Sequence, residues 1–302
     1  MRNLNIVILA LCSMAPLVSG QEIGLFYSRK DNLNGQTKVQ VLPIALYSGG
    51  KFTGFKSLPS DDTGLCPKSS FVGKLKPGTS YRVISGGKNV GSVVTGSEQI
   101  ADFSCSTLCT LEVKGKLQEL STENTYQRGG FTANESFDET ITQAVVVTAS
   151  HEEFSSPVAT PPAFAKGAIS KWVELKMPWK GAPAKKLKIE TLRPFHSNNQ
   201  GEWLYFVVAN ISDDKNDYLR RLSAIVKIDQ KRLVTTVFEL VAEGDPDRGA
   251  ATFEFLEPIS LQKDSPPAVV AIFHNYEFHE IQILKFDGKR YVVVHKGPKY
   301  GC

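Results

Sequence analysis

Short runs of β-forming residues separated by turn residues constrain the fold of this chain more than any other feature. The clearest case is IQILKF-DG-KRYVVVH, where the Asp-Gly pair at 287–288 stands between two runs rich in Ile, Leu, Tyr and Val. An Asp-Gly pair in this setting strongly predicts a β-hairpin. With these two residues as the whole loop, we expect Leu284 to face Tyr291 and Glu280 to face His295.

Runs of the same kind recur along the chain, and clusters of Gly, Pro, Asn and Asp separate them. They predict a mainly β fold of antiparallel hairpins and meanders in two β-rich domains, with one short helix near the linker. The predicted strands are 38–47, 81–84, 90–95, 108–113, 144–149, 203–211, 223–228, 233–241, 251–256 and 267–274.

The predicted domain plan begins with a signal peptide at 1–20, which has a positively charged start, a short apolar core and small residues before Gly20. We expect cleavage near Gly20, which leaves enough chain for two ordinary domains. These are an N-terminal β-rich domain at 21–150 and a C-terminal β-rich domain at 168–302. A linker rich in Pro, Ser and Ala joins them at 151–167.

The one helix is predicted where the linker ends. Phe164, Ala168, Trp172 and Leu175 follow one another at spacings of four, four and three residues, which places them on one helical face. The Thr-Pro pair at 160–161 is typical of a helix start. We therefore expect a short helix that buries these four side chains.

The cysteines favour export. Cys12 follows a bulky residue inside the predicted signal peptide, so a lipid-modified cysteine is not expected. The mature chain keeps Cys66, Cys105, Cys109 and Cys302, an even number that predicts disulfides with three possible connectivities. Pairing of Cys66 with Cys105 or Cys109 is expected, because two cysteines four residues apart on an extended strand exceed disulfide reach.

Composition excludes several classes of function. A net charge of +4 is too mild and too evenly spread to predict a nucleic-acid partner. A hydrophobic content of 41% and a charged content of 22% are those of an average globular protein. No stretch after the leader is long and apolar enough to predict a transmembrane segment, so a secreted or periplasmic protein is expected.

The histidine-rich stretch IFHNYEFHEI is the main candidate site. His274 and His279 are five residues apart, so they converge only if the residues between them form a hairpin turn, which we expect. A zinc protease needs H-E-x-x-H on a helix, and we expect no metal here. Tyr276 and Phe278 would then be aromatic residues on a turn and, with the loop residue Trp179, are candidate binding residues.

No catalytic constellation stands out. The chain has no G-x-S-x-G elbow, and its adjacent carboxylates lie in turn-like loops, so no cofactor is expected. The favoured function is an exported non-catalytic protein that binds a protein partner, a glycan or a cell-envelope component. The alternative is a secreted hydrolase whose active site forms only in the fold, with one histidine as base. The candidates are His151, His196, His274, His279 and His295.

The tetrapeptide SGGK occurs twice, at 48–51 and 85–88. A penicillin-binding type Ser-x-x-Lys needs a helix and a K-T-G partner, and the chain has no K-T-G. A two-residue Gly-Gly turn fits both copies, with Ser48 opposite Lys51 and Ser85 opposite Lys88. Both copies therefore predict β-hairpins.

The last stretch, from PPAVVAIFHNYEFHE to GKRYVVVHKGPKYGC, resembles the closing hairpins of secreted bacterial β-rich proteins with FG-GAP-like repeats. The resemblance covers roughly the last fifty residues and implies a strand, an aromatic turn, a second strand, a glycine turn and a final strand. In that family a calcium-type loop would precede Ala268. Here ISLQKDSPP has Asp264 as its one acidic residue, so calcium is not expected.

Overall fold

A computed structural model describes residues 23–33, 36–54, 66, 78, 80–85, 88–103, 106–114, 125–131, 136–148, 160–178, 186–198, 200–212, 218–244, 250–261 and 265–301. His151, Trp179, Cys105, Cys302 and the predicted signal peptide, with Cys12, lie outside the described residues.

The N-terminal half forms one antiparallel sheet that closes on itself. Its strands are β1 Ile23–Leu33, β2 Gln36–Ser48, β3 Lys51–Gly54, β4 Ser80–Ser85, β5 Lys88–Phe103, β6 Ser106–Lys114, β7 Thr125–Phe131 and β8 Ser136–Thr148. Six of them form a ring in the order β1-β2-β6-β5-β4-β8, and β8 pairs again with β1. β3 extends the ring beside β2, and β7 extends it beside β8. We call this sheet the N-terminal ring.

The C-terminal half contains one helix and two four-stranded antiparallel meanders. The elements are α1 Ala165–Lys176, β9 Lys186–Ser197, β10 Trp203–Ser212, β11 Tyr218–Ile228, β12 Val234–Glu243, β13 Thr252–Ile259, β14 Ala268–His274, β15 His279–Phe286 and β16 Tyr291–Tyr300. The first meander has the strand order β12-β11-β10-β9, and the second has β13-β14-β15-β16. Every pair within a meander joins neighbours in sequence, which keeps the connections short.

These parts stack in four layers, with the two meanders in the middle. On β10, Phe206 faces the second meander and Val207 faces α1. On β14, Val269 faces the first meander, whereas Val270 packs against the N-terminal ring beside Ile44. Since successive side chains of a strand point to opposite faces, these central strands are buried on both sides. That burial explains their nearly continuous apolar sequences.

Aromatic rings fill the space between the two meanders. Phe206 is fully buried, and its ring centroid lies 3.9 Å from that of Phe195 and 4.9 Å from that of Phe255. The Arg193 guanidinium lies 5.1 Å from the Phe206 ring centroid and donates hydrogen bonds to the carbonyls of Phe255 and Leu256. Stacked rings beside a guanidinium add specific geometry to the burial of this part of the core.

The predicted mainly β fold with one short helix is confirmed, and each predicted strand overlaps an observed one. Three strands, β1, β7 and β9, were not predicted. The helix begins at Ala165, with Phe164 as a cap that makes no side-chain hydrogen bond, rather than directly after the Thr-Pro pair. The prediction for Leu175 is wrong: it is 81% exposed, because the buried face runs through Ala165, Ile169 and Val173.

The predicted register of the Asp-Gly hairpin is also wrong. The loop spans 287–290, with the Asp287 N–H donating to the Arg290 carbonyl at 2.9 Å. Consequently Leu284 faces Val293 instead of Tyr291, and Glu280 faces Lys299 instead of His295. The wider loop pairs Phe286 with Tyr291, whose ring centroids lie 5.5 Å apart. This aromatic pair explains why the shorter loop is not adopted.

Two other predictions from short motifs are confirmed. Ser48 pairs with Lys51 around Gly49 (φ 57°) and Gly50 (φ 83°), left-handed conformations that favour glycine. In the second copy Ser85 pairs with Lys88.

Of the two pairings expected for Cys66, the structure forms the bridge to Cys109. The two Cα atoms lie 5.6 Å apart, an ordinary distance for a disulfide.

Candidate functional site

The β14–β15 turn brings together four of the predicted site residues. His274 ends β14 and His279 begins β15, and the two are directly paired. The turn between them is closed by the N–H of Asn275, which donates to the carbonyl of Phe278 at 2.8 Å. The Asn275 side-chain oxygen also accepts the N–H of Tyr276 at 2.8 Å. The predicted hairpin turn between the histidines is therefore confirmed.

A chain of hydrogen bonds links the two histidines to a carboxylate. Nδ1 of His274 lies 2.7 Å from Nδ1 of His279, and Nε2 of His274 lies 2.9 Å from Oε2 of Glu254. An ionised carboxylate only accepts, so Nε2 of His274 carries the proton of that bond. In the neutral tautomers His279 Nδ1–H then donates to His274 Nδ1, and the lone pair of His279 resides on Nε2. The chain thus orients His279 through His274.

Glu254 is the member of this chain that the sequence did not reveal. It lies on β13 opposite Ile272, two residues before His274, so that Glu254 and His274 are diagonal neighbours on one face. The alternation in TFEF shows that Glu254 points away from the Phe253 and Phe255 face. No local signal, however, connects β13 with a turn twenty residues later.

The end of β16 packs against the β14–β15 turn. Tyr300 pairs with His279, is almost fully buried, and its ring centroid lies 5.3 Å from the imidazole of His279. At the next residue, Gly301, an added Cβ would lie 2.7 Å from Cα of Phe278. Only glycine permits this approach, so the chain after β16 holds the turn in place.

Among the predicted aromatic residues, Tyr276 presents the exposed surface. Its side chain is 59% exposed at the tip of the turn. Phe278 is half-buried: its ring centroid lies 6.1 Å from that of Phe273, and the Lys299 ammonium sits 3.4 Å from the ring centroid. Trp179 lies outside the described residues. The surface of this site is therefore Tyr276 beside the polar chain, with Phe278 serving mainly as support.

The other candidate histidines lie elsewhere. His196 is half-buried near the end of β9, and burial lowers its pKa. His295 on β16 donates from Nε2 to the Ile44 carbonyl at 3.1 Å and stacks on Phe52. Burial lowers the pKa of His295, and the bond to Ile44 opposes that shift. Neither histidine joins the cluster at the β14–β15 turn.

Within the described part of the chain, no group of three or more His, Cys, Asp and Glu side chains is arranged to hold a metal ion. The described part also contains no helix with the length and apolar character needed to cross a membrane.

Function must come from the chemistry of the site, because a β-rich fold alone does not specify it. The resemblance of the last fifty residues to FG-GAP-like hairpins stays a prediction, as does the division into domains at 151–167. Comparison of the chain with protein-family models, curated proteins and solved structures finds no match in any of the three.

Proposed function

We propose that the protein is an exported, non-catalytic binding protein that uses the β14–β15 turn to recognise a glycan of the cell envelope or its surroundings. Exposed Tyr276 is the observation that carries the proposal. A large aromatic ring on a turn leaves apolar surface exposed to water, and a bound ligand would cover that surface. The turn beneath it is fixed by Asn275 and Gly301, so the ring is held ready for contact.

The composition of the surface favours a glycan over a protein partner. His274, which ends β14 two residues before Tyr276, and its partner Glu254 are 28% and 37% exposed, and their imidazole and carboxylate groups suit hydroxyl groups. A stable protein interface covers about 800 Å² per partner around several anchors. Among the described residues, the exposed large apolar side chains lie on different elements, as Leu175 on α1 and Leu233 after β11 illustrate.

The Cys66–Cys109 bridge supports the exported part of the proposal. Disulfides persist mainly in oxidising compartments outside the cytosol. The predicted signal peptide at 1–20 agrees with that location.

Sedimentation with insoluble polysaccharides tests the proposal. Oxidised mature protein is mixed with peptidoglycan, chitin or cellulose, and the bound fraction is measured against the amount of polymer. We expect Tyr276→Ala to weaken binding at least about ten-fold, the usual loss for an interface anchor, and Tyr276→Phe to retain most of it. Leu175→Ala, which removes an exposed apolar side chain from α1, is the matched control. Wild-type protein that binds none of the polymers, or Tyr276→Ala that binds like wild type, would contradict the proposal.

A secreted hydrolase is the second candidate, and one specific observation favours it. The chain Glu254–His274–His279 has the form of a base oriented by a hydrogen-bonded partner. In this alternative His279 would act as the general base. Release of p-nitrophenol from short-chain esters would measure this activity. Hydrolysis that His279→Gln abolishes and Tyr276→Ala preserves would select the hydrolase over the binding protein.

A further inference from the structure

A cavity between α1 and the β11–β12 turn forms a second candidate site. It has a volume of about 420 Å³ and is lined by Phe164, Gly167, Ala168, Lys171 and Arg232. This volume lies within the range of small-molecule sites, which combine apolar walls with a few charged groups. We propose that the cavity binds a small organic carboxylate. Its apolar part would lie on Phe164 and Ala168, and its carboxylate would lie between Lys171 and Arg232.

The unbalanced charge of the cavity points to an anion. Among the described residues that line the cavity, two carry a positive charge, Lys171 and Arg232, and none is acidic. Lys171 and Arg232 form no ion pair with any described residue. Two cations beside an apolar wall favour an anionic ligand, and a guanidinium matches a carboxylate with two parallel hydrogen bonds.

Arg232 lines the cavity from a backbone conformation that residues other than glycine rarely adopt. Arg232 has φ 66°, and among the described residues it is the one non-glycine with a positive φ. The β11–β12 turn is fixed by Asp229, whose carbonyl accepts the Arg232 N–H at 3.1 Å and whose side chain accepts the Leu233 N–H at 2.9 Å. Glycine or asparagine would suit this conformation better, so Arg232 holds its charged side chain on a strained backbone. Its guanidinium lies 5.1 Å from the Phe164 ring centroid, at the wall of the cavity.

Gly167 keeps the cavity open. Glycine inside a helix is unfavourable compared with nearly every other residue except proline. An added Cβ at Gly167 would meet no atom within 4 Å, so packing does not require the glycine. Because Gly167 lines the cavity, a larger side chain here would take up part of its volume.

Isothermal titration calorimetry with 4-phenylbutyrate and octanoate, each compared with its neutral amide, tests the proposal on the oxidised mature protein. We expect both carboxylates to bind and each amide to bind at least about ten-fold more weakly. Arg232→Gly relieves the strained turn while removing the cation, and Gly167→Leu improves the helix while filling the cavity. Both should raise the thermal midpoint yet weaken carboxylate binding at least about ten-fold, which separates loss of the site from loss of the fold.

Lys171→Met should weaken binding by a similar factor. Lys166→Met, which removes an exposed cation from the same helix outside the cavity lining, is the control and should bind like wild type. Three results would overturn the proposal: no heat from either carboxylate, equal binding of carboxylate and amide, or wild-type affinity in Arg232→Gly. None of these results bears on Tyr276, so the two sites are tested separately.

Discussion

Reduction of the Cys66–Cys109 disulfide should destabilise the whole chain, although Cys109 belongs to the N-terminal ring. The ring and the second meander share one buried cluster, in which Ile44 of β2 packs with Val270 and Ile272 of β14. Loosening the ring therefore uncovers apolar surface of the second meander. The expected loss of unfolding free energy is large because the disulfide joins distant parts of the sequence.

The size of this loss of unfolding free energy follows from the length of the loop that the disulfide closes. The two cysteines are separated by 43 residues. A crosslink over a loop of that length removes about 13 cal/mol/K of entropy from the unfolded chain, or about 4 kcal/mol at 25 °C. With a urea m value of about 3 kcal/mol/M, the unfolding midpoint should fall by about 1.3 M.

Urea titration with two spectroscopic probes measures this effect. Trp172, Trp179 and Trp203 are the three tryptophans of the chain, so intrinsic fluorescence follows the C-terminal half. Far-UV circular dichroism follows all of the sheets. If the shared cluster couples the two halves, reduction shifts both transitions together.

Cysteine variants separate the crosslink from other effects of the reductant. Cys66→Ala with Cys109→Ala should resemble reduced wild type without any reductant, whereas Cys105→Ala should keep the stability that the bridge supplies. An unchanged wild-type midpoint on reduction would refute the entropy reasoning. A shift seen only by circular dichroism would refute the coupling through Ile44 and Val270.

Three further perturbations test the fold around the site. Burial lowers the pKa of His295, so the unfolded chain binds more protons than the folded chain as the pH falls. The contribution of His295 to the free energy of unfolding is therefore complete above about pH 6.5 and declines below that pH. Urea midpoints from about pH 8 to pH 5 should therefore depend less on pH in His295→Gln, and an unchanged slope would contradict this. Phe206→Ala should lower the free energy of unfolding by about 3–5 kcal/mol in urea titrations, because it empties a fully buried ring site, and a loss below about 1 kcal/mol would contradict the described packing. Gly301→Ala should speed hydrogen exchange of the Asn275 amide, because its Cβ would crowd Phe278; exchange at the wild-type rate would show that the turn does not depend on Gly301.

The strands that could be predicted from the sequence are those whose own residues favour a strand. β10 and β14 are nearly continuous apolar runs, because both of their faces are buried. β9 was missed, since its register shifts twice against β10 and the bulges disrupt the alternation of apolar and polar residues. The polar stretch YSRKDN in β1 owes its strand to pairing with both β2 and β8. Such partners are distant in sequence and leave no local signal.

Two errors arose where the local pattern allowed more than one solution. The predicted buried face of the helix is displaced by one residue from the observed face. Trp172 lies at the edge of the observed face, but Leu175 lies on the exposed side of the helix. The Asp-Gly hairpin was assigned the shortest loop. Asp287 instead caps a wider loop by accepting the N–H groups of Lys289 and Arg290 at 2.8 Å, which lowers its pKa. Packing against the sheet selected the buried face of the helix, whereas the Asp287 cap and the Phe286–Tyr291 pair accompany the wider loop of the hairpin.

The candidate site was predictable only where its own short sequence indicates the structure. The turn between His274 and His279 follows from the sequence, because β-forming runs flank it on both sides. Glu254 depends on the pairing of β13 with β14, and the support from Gly301 depends on the path of the chain after β16. Both are contacts between strands whose arrangement no short motif encodes. The sequence therefore predicted the paired histidines and Tyr276 on the turn, but not Glu254 or the contact of Gly301 with Phe278.

The first SGGK hairpin shows how a turn without chemistry still matters to the molecule. Its two-residue turn sets Tyr47 opposite Phe52, with ring centroids 4.9 Å apart. Phe52 stacks on His295, whose centroid is 6.4 Å away, and the Lys285 ammonium lies 5.7 Å from the Tyr47 ring centroid. At Gly54 an added Cβ would lie 3.2 Å from Nε2 of His295, so a side chain there would displace the imidazole. The exposed Ser and Lys of the tetrapeptide only frame the turn, whereas the residues flanking it attach the N-terminal ring to the meander that carries the candidate site.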